Sequence, residues 1–281
     1  MSRKQVAVLT ALAMVAFAGN SLLCRMAFQH TAIDAASFTS IRLLSGAVAL
    51  WAIVAAKGDK IGAAGSWASA LALFAYAAAF SFAYVSLSAA TGALLLFGAV
   101  QTTMIGAGIW KGERFSGRQL AGLALAVGGL AALLLPGLSA PPLLAAALML
   151  GAGCSWGVYS LRGKHAARPI ETTAGNFLRA LPFAAALSFA MFAHRSPDGW
   201  GMAYAVGSGA LASGIGYAIW YTALRGLTAT AAATVQLSVP VLAALGGVVF
   251  LGEPITSRLV FTSIAILGGI WLITAAPRDA P

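Results

Sequence analysis

The chain has 281 residues, of which 60% are hydrophobic and only 9% are charged. Ordinary globular domains contain about 45–50% and about 25% of these classes, so the composition excludes a water-soluble protein and predicts a lipid environment. The formal net charge of +10 does not indicate nucleic-acid binding, because the Lys and Arg residues lie in short runs between apolar segments rather than on one surface.

Apolar segments recur along the whole chain, and ten of them are long enough to span a bilayer whose core is about 30 Å thick. The first segment has a basic start, but it continues to about Phe28. This length predicts a retained helix rather than a cleaved signal peptide. The ten predicted spans are residues 5–27, 35–56, 66–87, 89–110, 116–135, 142–161, 172–193, 200–223, 229–251 and 256–275.

Lys and Arg residues are distributed unevenly between the two sides of these spans. If the N-terminus is cytoplasmic, twelve of them lie in inner loops and termini, and only Arg25, Arg195 and Arg258 lie outside. Positive charge concentrates on the cytoplasmic side of membrane proteins. We therefore predict that both termini are cytoplasmic.

The two halves of the chain repeat a pattern at an offset of 140 positions, with Gly112-Glu113 recurring as Gly252-Glu253 and Arg118 as Arg258. Ten spans in two copies leave five in each, and an odd number requires the second copy to enter the membrane in the opposite orientation. Inverted repeats are typical of transporters, whose two halves alternate access to a site near the midplane. The predicted repeats are residues 1–137 and 138–281.

These motifs, taken in order, resemble the EamA-type members of the drug/metabolite transporter superfamily. Trp156-Gly157, Arg42, Arg179 and Pro240 also fit that pattern, whereas the first copy departs from it with Val100 at the position of Pro240. The resemblance covers the whole chain. It implies a basket of ten helices in the bacterial inner membrane, with helices 1, 3, 4, 6, 8 and 9 around a central cavity and helices 5 and 10 behind. Length and aromatic content are most similar to the bacterial exporters of aromatic amino acids (the YddG type).

Aromatic side chains recur on single faces of the predicted helices. Tyr76, Phe80 and Tyr84 follow one another at intervals of four residues, which places them on one helix face. Core packing, lipid contact or the interfacial belt explains any one of them, but a tyrosine inside a span needs a hydrogen-bond partner that lipid tails do not supply. The pattern predicts an aromatic-lined cavity for a flat or amphiphilic molecule. The other aromatic candidates are Phe97, Trp156, Tyr159, Tyr217 and Tyr221.

Three amide side chains, Asn20, Gln101 and Gln236, lie within the predicted spans. An amide both donates and accepts hydrogen bonds, so these residues are candidates for meeting the ammonium and carboxylate of an amino acid. The alternative is hydrogen bonding between helices, worth about 0.6–2 kcal/mol each. With the aromatic residues they complete the predicted substrate-binding set.

Arg42 and Arg179 are the only charged residues placed more than two residues inside predicted spans. Each lies close to the start of its helix, which favours snorkelling of the side chain to the lipid headgroups. A gating or structural role beside the cavity is the alternative. We predict the same kind of role for Pro240.

Several kinds of chemistry find no support in the sequence. Proton-coupled carriers usually hold an acid or histidine within the membrane, and no Asp, Glu or His lies in the middle of a span. No metal-ligand cluster, nucleophilic triad or phosphate-binding glycine loop is visible either. We therefore expect an uncoupled carrier without cofactor or metal, not an enzyme, in which one chain supplies both orientations and a monomer suffices. The alternative for coupling is proton sensing by Glu113 or Glu253 at a helix end.

The combined interpretation is an exporter of small amphiphilic metabolites that works by alternating access. Aromatic and other neutral amino acids are the leading substrates. One alternative is a transporter of drugs or nucleotide-type metabolites within the same superfamily. Another is a non-transporting membrane scaffold subunit, which predicts no substrate-dependent flux.

Overall fold

The computed structural model describes residues 1–59, 64–110, 116–135, 140–163, 166–227 and 235–274. These residues form ten helical segments, in the order that the sequence predicted, and contain no strand. The Gly112-Glu113 loop and the start of the predicted ninth span lie outside them. The segments are α1 (Arg3–His30), α2 (Ala35–Ala56), α3 (Trp67–Tyr84), α4 (Ala89–Trp110), α5 (Gly117–Leu134), α6 (Leu143–Gly163), α7 (Pro169–Ala190), α8 (Gly199–Leu224), α9 (Ser238–Leu251) and α10 (Ser257–Thr274), with a 3-10 turn at Phe192–His194.

The helices have the length and the surface of membrane spans. Among the described residues, seven of them are both long and apolar enough to cross a bilayer, and α9 and α10 contain shorter apolar stretches. Large apolar side chains face outward, including Phe250, which is 65% exposed, and Phe261, which is 71% exposed. Lipid covers such side chains without penalty. The chain is an all-α, multi-pass membrane protein.

Local sequence sets where many of these helices begin. A Ser or Asp side chain accepts a hydrogen bond from a backbone N–H of the first turn, which satisfies a donor that the helix itself leaves free. At Asp34, burial by itself raises the pKa of the carboxyl. Hydrogen bonds from the backbone N–H groups of Ser196 and Ser37 outweigh burial and hold that pKa below its usual value. The capping residues are Ser2, Asp34, Ser66, Ser116 and Asp198.

Helix packing follows a regular pattern. The helix pairs in closest contact include α3 with α6, α4 with α6, α2 with α7, α2 with α8, α1 with α8, α1 with α9 and α5 with α10. Replacing each helix by the one five places away turns α3–α6 into α8–α1 and α4–α6 into α9–α1. It turns α2–α7 and α5–α10 into themselves. It turns α2–α8 into α7–α3, a pair that is also in contact, so these closest pairs are exchanged only with other contacting pairs.

The pair α5–α10 shows the same exchange at individual residues. Gly129 of α5 packs against Ile266 of α10, and Gly269 of α10 packs against Ala126 of α5. Adding 140 to the number of Gly129 gives Gly269, and subtracting 140 from that of Ile266 gives Ala126, so the repeat offset converts the first contact into the second. Because the number in one helix falls as the number in the other rises, the two helices are antiparallel. Glycine lets the two backbones come this close.

The middle of α8 departs from α-helical geometry. Gly207–Ile215 forms a π-helix between two α-helical stretches, and π-segments are rare and often found at functional sites. Gly209 lies in this stretch against α2, where a Cβ atom would collide with the backbone carbonyl of Arg42. Only glycine allows so close an approach of α8 to α2.

Candidate functional site

The helices enclose a buried cavity in the middle of the bundle. The space that the centre of a water molecule can occupy in it is about 20 Å³, and a single water needs about 10–15 Å³ by the same measure. The cavity is therefore nearly closed in this conformation. It is lined by Phe17, Asn20, Ser21, Tyr76, Phe80, Leu96, Phe97, Trp156, Ala212 and Tyr217.

These lining residues come from α1, α3, α4, α6 and α8, five of the six helices that the family resemblance implied. The described part of α9 contributes none. Helices α5 and α10 pack against each other and against α4 without reaching the cavity, as the resemblance implied.

Aromatic rings form the walls of the cavity. The centroid of the Trp156 ring lies 4.9 Å from that of Tyr76 and 5.0 Å from that of Tyr217. On the Tyr76 side, Phe80 continues the wall at 5.4 Å, and on the Tyr217 side Phe17 continues it at 5.9 Å. Rings at these separations attract one another through their edges and faces. A flat ligand that enters must replace some of these ring contacts with its own.

Polar atoms meet at one point on the cavity wall. Asn20 donates from Nδ2 to Tyr76 Oη at 3.2 Å and accepts at Oδ1 from Ser208 Oγ at 2.6 Å. Arg42 donates from Nη2 to the same Tyr76 oxygen at 3.0 Å, and Ser213 Oγ lies 3.5 Å from that nitrogen. The tyrosine oxygen thus connects a neutral amide to a charged guanidinium.

The prediction that Arg42 snorkels to the headgroups is wrong. Its side chain points into the bundle, is 2% exposed, and has its guanidinium carbon 5.1 Å from the Tyr76 ring centroid and 4.8 Å from that of Phe80. Both rings offer a negative face to the cation. The hydrogen bond to Tyr76 and the two ring contacts, all invisible in the local sequence, hold this charge inside the protein.

Sequence reasoning missed the two serines of this network. Ser208 and Ser213 both lie in the π-helical stretch of α8, where hydrogen bonds link residues five apart. That spacing places both hydroxyls on the side of α8 that faces Asn20 and Arg42. The run of glycines around them was the available signal, since glycine is a poor α-helix former. Phe17 was also missed, although it lies one turn before Asn20 on the same face.

The structure brings together six of the eleven residues predicted to bind substrate, and their role in binding stays a prediction. The five others do not line the cavity. Tyr84 is buried behind Phe80, and Tyr159 stacks on Trp156 and accepts a hydrogen bond from Asn176. The six lining residues are Asn20, Tyr76, Phe80, Phe97, Trp156 and Tyr217; Gln101 is buried elsewhere, and Tyr221 and Gln236 are half-buried.

Arg179 and Pro240 lie away from the cavity. Arg179 is half-buried and donates from Nη1 to the carbonyl oxygens of Ala64 and Gly175, so it ties α7 to the segment that leads into α3. Pro240 is buried near the start of α9. Both positions fit a structural role, which stays a prediction.

An ion pair beyond one end of the cavity connects α1, α3 and α4 with the segment after α9. Glu253, which follows α9, accepts from Arg25 Nε of α1 at 3.1 Å and from the backbone N–H of Ala89, at the start of α4, at 2.8 Å. Arg25 also donates to the carbonyl oxygens of Tyr84 and Val85 at the end of α3. We call this group the Glu253 lock. Arg25 and Tyr84 follow the lining residues Ser21 and Phe80 by about one helical turn, so the Glu253 lock lies beyond that end of the cavity.

The chain is similar to several known proteins. The model of the EamA-like transporter family matches residues 143–275. An uncharacterised protein of Pseudomonas aeruginosa is 58% identical over 279 residues, which is 99% of this chain and 97% of that protein. The threonine/homoserine exporter RhtA of Salmonella typhimurium is 32% identical over 142 residues, which is 48% of this chain and 47% of the exporter.

A solved crystal structure shares the fold. It aligns over 98% of this chain and 99% of its own with a TM-score of 0.68, at 19% sequence identity. The family model, the similarity to an exporter and the all-helical membrane architecture agree with one another. The chain belongs to the EamA-like transporter family of the drug/metabolite transporter superfamily, a class of membrane transporters and not of enzymes.

Proposed function

We propose that this transporter exports aromatic and other neutral amino acids by alternating access. The observation that carries the proposal is the aromatic cage of Tyr76, Trp156 and Tyr217, in which the Tyr76 hydroxyl meets the amide of Asn20. Ring faces suit an apolar or aromatic side chain, and the amide suits the polar backbone groups of an amino acid. A lipid-facing scaffold subunit needs neither feature.

A transport cycle follows from the closed cavity. Space for about one water is too small for any amino acid, so the aromatic walls must separate before substrate enters. The Glu253 lock lies beyond one end, and its release would open the cavity at that end only. Access at the other end would require the lock to be closed, which is the alternation that transport demands.

Two inverted repeats, residues 1–137 and 138–281, would supply the two halves of this cycle. The exchange of helix neighbours by five places and the Gly129–Ile266 and Gly269–Ala126 contacts support this division. Since both orientations then lie in one chain, a monomer would suffice. The distribution of Lys and Arg supports cytoplasmic termini in the bacterial inner membrane, with the Glu253 lock at the outer end.

Similarity to RhtA over about half of each chain supports neutral amino acids as the substrate class, because that protein exports threonine and homoserine. Preference for aromatic amino acids rests on the ring-lined cavity and stays a proposal. We propose uncoupled transport, since the cavity-lining residues include no Asp, Glu or His.

The test is counterflow in liposomes that contain the purified protein. Labelled phenylalanine, tryptophan and threonine are offered with and without a pH gradient, and saturable uptake indifferent to the gradient is the expected result. Uptake that requires the gradient would contradict uncoupled transport. No uptake of any amino acid, against uptake of drugs or nucleotide-type metabolites, would overturn the substrate class.

The variant Trp156→Ala tests whether the cavity is the site. It removes the ring between Tyr76 and Tyr217, so we expect uptake to fall about 5- to 150-fold, which corresponds to about 1–3 kcal/mol for lost ring contacts. The matched control is Trp110→Ala, whose ring is 93% exposed at the end of α4. Equal uptake by both variants would remove the cage from the mechanism.

A further inference from the structure

Arg42 carries a buried charge whose hydrogen bonds are incomplete. Its Nη2 atom donates to Tyr76, but its Nη1 atom has no hydrogen-bond partner. The ion pairs found among the described residues are Arg25–Glu253, Arg168–Asp59 and Arg168–Glu171. None of them includes Arg42.

Such an arrangement is unfavourable without an anion. A guanidinium stays charged at any pH that a protein meets, and a buried charge without a counter-charge is strongly destabilising. The rings of Tyr76 and Phe80 and the Ser213 hydroxyl compensate part of this cost. A carboxylate brought beside the guanidinium would supply the rest.

Tyr76 connects this charge to the cavity. Its oxygen accepts hydrogen bonds from Arg42 and from Asn20, and among the described residues it donates none. The phenolic proton is therefore available for an acceptor, and two bonds from N–H donors, one of them charged, make it a stronger donor. Both Tyr76 and Asn20 line the cavity, so an anion there reaches this proton directly.

We propose that Arg42, Tyr76 and Asn20 form a carboxylate subsite, and that the substrates of this transporter must carry a carboxylate. This inference rests on the proposed function and specifies its substrate class. The Tyr76 hydroxyl and the Asn20 amide contact the carboxylate. Arg42 acts from behind them through its charge and, once the walls separate, through its Nη1 atom. The rings of Trp156 and Tyr217 receive the apolar side chain.

The subsite predicts an order of preference among compounds with the same ring. An aromatic amino acid binds best, because its carboxylate offsets the charge of Arg42. Its amide keeps the ammonium group but has a neutral carboxamide, so it binds less well. The decarboxylated amine has the ammonium group and no polar group in place of the carboxylate, so it binds worst. This order separates an amino-acid carrier from an exporter of lipophilic cationic drugs. It depends on the charge of Arg42, since Asn20 and the rings accept all three compounds.

The experiment measures competition in proteoliposomes. Uptake of labelled tryptophan is inhibited with unlabelled tryptophan, tryptophanamide or tryptamine, and the ratio of half-inhibitory concentrations is compared between variants. Because it is a ratio within one preparation, it does not depend on how much protein folds. For the wild-type chain we expect the amide to need at least a tenfold higher concentration, the size of one hydrogen bond to a charged group.

Arg42→Gln should bring the amide-to-acid ratio to within about twofold of one, whereas Arg42→Lys should keep most of the preference because it keeps the charge. Arg179→Gln is the matched control and should leave the ratio unchanged. If Arg42→Gln fails to fold, Tyr76→Phe removes the donor hydroxyl but keeps the ring and should also lower the ratio.

The outcomes separate the two proposals. Tryptophan uptake inhibited equally by all three compounds, in the wild-type chain, would overturn the carboxylate subsite and leave amino-acid export standing. An unchanged ratio in both Arg42→Gln and Tyr76→Phe would do the same. Absence of uptake for every amino acid, with tryptamine transported, would overturn both.

Discussion

The Glu253 lock offers the most direct test of how the cavity opens. Glu253→Gln keeps the shape of the side chain and an acceptor for the N–H of Ala89, but it removes the charge that holds Arg25. The side chains of Glu253 and Arg25 are only 9% and 19% exposed, so water screens this pair weakly. A hydrogen bond between charged groups is worth about 1.5–3 kcal/mol, so the open state should become about 10- to 150-fold more populated.

The assay uses a cysteine that only an open cavity exposes. Ala212 lines the cavity and is 4% exposed, so Ala212→Cys is introduced into a chain whose native Cys24 and Cys154 are replaced by alanine. A membrane-impermeant thiol reagent is applied from outside. When Glu253→Gln is added, the rate at which this cysteine is labelled should rise by the same factor of about 10 to 150.

The matched control is Asp59→Asn, which removes the ion pair between Asp59 and Arg168. Their side chains are 40% and 54% exposed, and exposed pairs contribute about 0–1 kcal/mol. We expect its labelling rate to stay within about fivefold of the parent. An unchanged rate for Glu253→Gln, or an equal rise in both variants, would refute the lock.

Three further predictions concern single residues. Gly209→Ala should lower the free energy of unfolding by about 1–3 kcal/mol, because the added Cβ collides with α2 backbone that cannot move away. The melting temperature of the purified protein should therefore fall. Gly151→Ala adds a Cβ where the surroundings are open, so it should leave the melting temperature unchanged. Ser208→Ala removes the hydrogen bond that orients Asn20. The amino-acid concentration that gives half-maximal uptake should therefore rise about fivefold, which corresponds to about 1 kcal/mol. Asp34 has a lowered pKa, so the stability it provides is complete above about pH 4 and is lost as the pH falls further. Melting temperatures measured from pH 7 to pH 3 should therefore fall less for Asp34→Asn than for the wild-type chain.

Much of the architecture was predictable because membrane helices satisfy their backbone hydrogen bonds within each segment. An apolar run of about twenty residues thus marks a span, and the predicted range 35–56 coincides with α2 while 89–110 coincides with α4. The shared helix face of Tyr76 and Phe80 followed from helical periodicity alone. Periodicity also placed Tyr84 on that face, but it could not show that Tyr84 lies behind Phe80 rather than at the cavity.

The sequence by itself determined the lipid environment, the spans and the aromatic character of the cavity, since composition and short-range spacing control these properties. Only the tertiary structure decided where the polar groups act. Arg42 is buried because it donates a hydrogen bond to Tyr76, 34 positions away. Glu253 takes part in the lock because it pairs with Arg25, which lies 228 positions earlier. The free energy of a charge depends on which atoms surround it, and partners so distant along the chain leave no local pattern to read.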